Sequence, residues 1–186
     1  MSGKRARSPD VVDDIMDAWR VQDPAVAHVP AEVSKRIARL DSLLQAATDR
    51  ALAPFGLQKA EFGVLSALRR MGPAQRLKPN ELTRMLLISS GGTSNVLRRL
   101  EQAGLVERGS DPHDQRSSWV RLSREGVSVT DQAVRAYTAA QAELLRPVSA
   151  QTARDVADLL REVLVAVGDI SPRAVAAPVR RKRSPR

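Results

Sequence analysis

Between residues 90 and 99 the chain gathers side chains that can recognise a polyanion. Ser90, Gly92, Ser94, Asn95, Arg98 and Arg99 stand close together there, with Gly91 beside them. An asparagine amide can pair with adenine through two hydrogen bonds, and an arginine can do the same with guanine. Small residues at a helix start let a phosphate approach backbone N–H groups, where the helix dipole also favours it. A second set follows in a stretch rich in turn formers: His113, Asp114, Arg116 and Ser117. Side chains at such a tip can reach a minor groove or the backbone, and Asp114 can orient the Arg116 guanidinium. Taken singly, these residues have plainer readings. Arg98 and Arg99 also read as solvated charge, and Asp114 with Arg116 as a hairpin ion pair contributing roughly 0–1 kcal/mol. The elements that carry them decide between the two.

Thr93, Leu97 and Leu100 recur at helical spacing, so the first set sits on the outer face of a helix. Ser89 and Ser90 are N-cap candidates, and the helix runs to Ala103 with Gly104 as its C′ residue. A short helix precedes it over 79–86, with Pro79 in the first turn and Leu82, Met85 and Leu86 on one side. After it, 105–108 and 119–122 read as two short strands joined by a hairpin tip over 109–118. Two helices, a tight connection and a two-stranded ribbon make a winged helix-turn-helix, whose second helix enters a major groove.

Around this core the pattern is helical. A helix over about 10–21 has Asp10, Asp13 and Asp14 in its first turn and Ile15, Met16 and Trp19 on one face. Pro24 and Pro30 bracket a loop, and a long helix over 30–53 follows, with Val33, Ile37, Leu40, Leu44 and Ala47 in register; Pro54 and Gly56 stop it. A helix over 59–70 carries Phe62, Leu65 and Leu68 and ends at Gly72-Pro73. Ser123 caps a helix over 124–146, and a last one spans 150–168 with Val156, Leu159, Leu160, Val163, Leu164 and Val167 as its stripe. The expected fold is mainly α with a small β-hairpin wing. Basic, disordered tails are expected at 1–9 and 171–186, dimerisation helices at 10–58 and 124–170, and the winged DNA-binding region at 59–123. Two long apolar stripes exceed what a small winged domain needs, so they are expected to meet in a homodimer; packing on their own domain is the alternative.

The 186 residues carry a net charge of +9, yet the tails alone hold nine of the 30 basic residues and no acid, which leaves the part between them neutral. The basic balance therefore argues for a polyanion partner through the tails. A nonspecific architectural DNA protein using those tails is the rival function. Cysteine is absent, which excludes disulfides, thiolate metal sites and thiol redox sensing. The two histidines, His28 and His113, stand far apart and outside any ligand-spaced motif. Without a phosphate-binding glycine loop or a nucleophile elbow, neither catalysis nor a cofactor or metal is expected. No apolar run approaches the roughly 18 residues of a membrane span, and Lys4, Arg5 and Arg7 precede no apolar stretch of a leader, so a cytoplasmic protein is expected.

Five stretches resemble the MarR-type bacterial transcriptional regulators: Leu82-Thr83-Arg84, Ser89 to Asn95, Arg99 to Arg108, Asp111 to Ser117 and Val120 to Gly126. The resemblance spans about 10–170 and is densest over 77–126. It implies a homodimer whose terminal helices intertwine and whose two wings grip a pseudo-palindromic operator in double-stranded DNA. Asn95 and its neighbours would read bases, and Arg116, set by Asp114, would be the wing arginine. Lys78 departs from the pattern, standing where a Ser or Thr cap is commoner. Such regulators commonly release DNA on binding a small molecule, often anionic and aromatic. Asp17 to Arg20, Glu61 to Leu65 and Leu68 to Pro73 resemble the urate-responsive, PecS-like subgroup, which implies a ligand pocket of Trp19, Gly63, Val96 and Arg108. Gly63 replaces that subgroup's acid and Val96 its arginine, so a bulkier or more apolar effector than urate is expected. Trp19 reads equally as core packing against the long helix.

Overall fold

The structure, a computed structural model, describes residues 8–72, 76–86, 89–111 and 114–169. Along them run α1 (Val11–Gln22), α2 (Val29–Leu52), a 3-10 turn (Ala53–Phe55), α3 (Lys59–Arg70), α4 (Pro79–Leu86), α5 (Ser90–Gln102), β1 (Val106–Asp111), β2 (Asp114–Leu122), α6 (Arg124–Leu145) and α7 (Ala150–Ala166). Of the expected tails only Ser8 and Pro9 fall within the described residues. No helix among the described residues is long and apolar enough to cross a membrane.

Local chemistry explains most of the helix starts. Asp10 lies one position outside α1 and accepts from the Val12 and Asp13 N–H groups, while Asp13 accepts from the Asp10 N–H, a reciprocal capping box. His28 caps α2 through Nδ1, which accepts from the Ala31 N–H at 3.2 Å. Lys78 gives α4 no side-chain cap, but Glu81 accepts the Lys78 N–H at 2.6 Å and supplies half of a capping box. For α5 the choice falls on Ser89, whose Oγ accepts the Gly92 N–H at 3.1 Å.

The core lies between α3, α4, α5 and the hairpin. Leu65, Leu68, Leu82, Leu97, Leu100 and Val120 are buried there, each contributing about 1.5–3 kcal/mol relative to exposure. Thr93 is buried too, and its hydroxyl stands 2.8 Å from that of Thr83 on α4. Each hydroxyl also reaches a carbonyl of its own helix, Pro79 for Thr83 and Ser89 for Thr93. Two protons serve three contacts, so one threonine donates across and the other donates back, which ties α4 to α5.

β1 and β2 pair antiparallel from Val106 with Leu122 to Ser110 with Ser118, then Asp111 with Asp114, and Leu77 adds a bridge to Val120. The strands are longer than the sequence suggested, because the ladder satisfies backbone groups well into the stretch whose composition reads as turn. At the base of the hairpin three residues close a joint. Gly104 takes φ +70°, and its N–H bonds to Glu101 while that of Leu105 bonds to Leu100, a Schellman stop for α5. Ser123 Oγ donates to the Gly104 carbonyl at 2.6 Å and accepts the Gly126 N–H at 2.9 Å. A Cβ on Gly126 would overlap the Leu105 carbonyl, so only glycine lets α6 start this close to the wing.

α1 lies on α2 through Val12 and Met16, while Arg36 of α2 reaches Asp10 at 2.9 Å and Asp13 at 2.6 Å. Desolvation pushes the Asp10 carboxyl up, but the Asp13 and Val12 N–H groups and the Arg36 guanidinium together hold it below its ordinary value. The face expected for α1 divides: Met16 is buried, whereas Ile15 and Trp19 are about 40% exposed. Arg69 of α3 grips Asp131 of α6 with two bonds, at 2.7 and 3.1 Å. The chain divides into two compact units, one ending at Leu144 and the other beginning at Leu145 and carrying α7, none of whose residues is buried.

Candidate nucleic-acid interface

Inward anchoring makes the outer face of α5 available. With Thr93, Leu97 and Leu100 in the core, Gly91, Ser94, Asn95, Arg98, Arg99 and Gln102 are exposed. The entry turn is bare: a Cβ on Gly91 would meet nothing within 4 Å, and one on Gly92 only the capping Ser89 hydroxyl. Asn95 Oδ1 accepts from Arg98 Nη2 at 2.8 Å. An amide oxygen has two lone pairs, so Asn95 can keep Arg98 and still accept from an adenine N6 while its NH2 donates to N7. Ser90 falls in the helix, but its side chain lies outside what the structure describes.

Arg99, exposed on that face, also has partners within the fold. Its Nε pairs with Glu61 at 3.0 Å and its Nη1 bonds to Gln58 Oε1 at 3.1 Å, which turns the guanidinium back towards the start of α3. The Glu61 side chain is 5% exposed, and its other oxygen accepts the Gln58 N–H at 2.8 Å. A buried carboxylate needs such a partner. Arg99 thus fixes α5 on α3 while Asn95 and Arg98 stay on the open face. The Gln58-x-x-Glu61 spacing, a capping-box pattern, was the available signal for it.

For the hairpin tip, the backbone of Asp114 to Ser117 is the start of β2, while their side chains and all of His113 lie outside the described residues. The orienting role of Asp114 towards Arg116 lies there too. The four effector candidates are spread over four elements: Trp19 on α1, Gly63 on α3, Val96 on α5 and Arg108 on β1. Among the described residues no side-chain hydrogen bond or ion pair joins any two of them. Arg108 pairs with Glu101 at 3.3 Å, Val96 packs on the core, and Leu86 lies 3.4 Å from where a Cβ of Gly63 would stand. A groove of about 600 Å³ opens between α2 and α6, lined by Ala47, Arg50, Ala51, Pro54, Ala136 and Ala140 among others.

Residues 55–117, which run from the 3-10 turn through α5 into the wing, match the family model described as MarR family. Over that third of its length the chain is similar to the MarR family. Across 152 residues it is 29% identical to the HTH-type transcriptional regulator PecS of Dickeya dadantii, covering 82% of this chain and 92% of that one. Wild-type apo MarR from E. coli superposes with a TM-score of 0.62 at 26% identity, over 70% of this chain and 96% of that one. A mutant E. coli MarR complexed with operator DNA shares the fold, with a TM-score of 0.64 at 24% identity over 84% of this chain and 99% of that one. The winged helix-turn-helix expected from the elements is thus the MarR arrangement, and the proteins it matches are transcriptional regulators rather than enzymes.

Proposed function

We propose that this chain is a MarR-type DNA-binding transcriptional repressor that grips a pseudo-palindromic operator as a homodimer and answers to a small molecule. The observation that carries the reading is the face of α5. A helix anchored by Thr93, Leu97 and Leu100 presents Ser94, Asn95 and Arg98 to solvent beside a two-stranded wing. Recognition helices of this motif read the major groove with such a face, and a MarR of the same fold is complexed with operator DNA. The homodimer is supported by apolar side chains that the single chain leaves open, Val33 and Ile37 on α2 and Val156, Leu159, Val163 and Leu164 on α7. For the effector, the exposed indole of Trp19 supports an aromatic ligand, and the uncharged Gly63 and Val96 favour one more apolar than urate.

Selection of bound sequences from random duplexes tests the reading. An enriched pseudo-palindrome with half-sites about 10 base pairs apart is expected. Asn95→Ala should then cost about 1–3 kcal/mol on that site and relax its sequence preference at one position per half-site. Binding without enrichment, fading uniformly as salt rises, would replace the repressor with a nonspecific architectural protein.

A further inference from the structure

Four side chains outside the reading helix gather at the root of the wing. Leu77 and Val120 are hydrogen-bonded to each other in both directions and buried, so the pleat turns Arg76, Lys78, Trp119 and Arg121 to the opposite, outer side. Trp119 pairs across the ladder with Gly109, and its ring lies over that residue; a Cβ on Gly109 would overlap it. Arg76 stacks on the same ring, with its guanidinium carbon 4.1 Å from the centroid, and that of Arg121 stands at 5.4 Å. The two arginines are not equivalent. Arg121 is answered by Glu107 at 2.6 Å, whereas no carboxylate among the described residues pairs with Arg76.

A guanidinium held over an indole face by cation–π attraction still has N–H groups to donate, and its planar fork matches phosphate oxygens. Arg76 also lies three residues before α4, the first helix of the helix-turn-helix, which in this motif crosses the DNA backbone. We propose that Arg76 contacts a DNA phosphate at the root of the wing and that Trp119, admitted by Gly109, is its positioning residue. The duplex footprint then extends beyond the α5 face and the hairpin tip. The inference rests on the DNA-binding reading above.

The test uses the full-length chain, its selected operator and a scrambled duplex, across a salt series. Arg76→Ala is expected to weaken both duplexes by a similar factor and to lower the slope of log affinity against log salt by about 1, the signature of one lost phosphate contact. Trp119→Ala should weaken binding in the same direction, and adding it to Arg76→Ala should change little more. Trp119→Phe keeps a ring for the stack and should retain most of the affinity. Gly109→Ala should resemble Trp119→Ala. Unchanged affinity and slope in Arg76→Ala would overturn the proposal, including when its melting temperature falls, since that marks a purely structural stack. Additive losses from Arg76→Ala and Trp119→Ala would overturn the positioning role. If Trp119→Ala fails to fold, Trp119→Phe and its combination with Arg76→Ala decide. Wild-type protein that binds no duplex breaks the DNA-binding reading itself, a result distinct from any of these.

Discussion

α5 and α7 are both amphipathic, and they end differently. In α5 the inward side is fully consumed, with Thr93, Leu97 and Leu100 each 1% exposed, and what remains outside is polar. In α7 the apolar stripe itself stays open: Leu159 is 60% exposed, Val163 45% and Leu164 49%. Periodicity names the apolar side of a helix, but covering that side takes a partner surface. α5 finds one in α3, α4 and the hairpin. α7 has none within its own unit, and a second copy of the chain is the partner we propose for it.

The contrast can be broken at α7 with the largest effect. Leu159→Asp combined with Leu164→Asp should convert a dimer at micromolar concentration into a monomer, because carboxylates have no place in an apolar interface; sedimentation reads the outcome. A wild-type chain that already sediments as a monomer would end the homodimer proposal. In α5 the corresponding change acts on folding. Leu97→Ala should cost about 3 kcal/mol of stability, seen as a lowering of the denaturant midpoint, relative to wild type, that is similar at every protein concentration. A concentration-dependent loss there would erase the distinction between the two helices.

Smaller effects sharpen the picture around α5. Thr93→Val removes the hydroxyl contact to Thr83, which can still donate to the Pro79 carbonyl, so about 1 kcal/mol should be lost. Equal midpoints for wild type and variant would show that the bond does not hold α4 to α5. The smallest effect belongs to Asp131. The Arg69 guanidinium holds its carboxyl below the ordinary value, so the pair stabilises the fold above the unfolded carboxyl range of about 4 and loses that effect as pH falls through the folded value. Asp131→Asn should therefore be less stable than wild type at neutral pH, and the difference should shrink in acid. Both groups are about one-third exposed, which keeps the effect modest. A gap as wide at pH 3 as at neutral pH in denaturant titrations would assign the loss to packing rather than to charge.

The sequence by itself determined the order of the elements and which side of α5 faces inward. Serine, aspartate, proline and glycine act within a turn of where they stand: Ser89 caps α5, Ser123 caps α6 and Gly104 stops α5 with a positive φ, as their types require. The tertiary structure decided whatever depends on residues far apart in the chain. Arg99, read from spacing as part of the outer face, turns to Glu61 because α3 docks there and its buried carboxylate needs a cation. Ile15 and Trp19 share the face of Met16 by spacing, yet only Met16 of the three is buried. Trp119 gains its meaning from Gly109 and Arg76, which only strand register and the Leu77 bridge bring beneath and above its ring. A local signal fixes a dihedral angle or a cap; a long side chain takes its partner from the packing of whole elements, which no single stretch of sequence specifies.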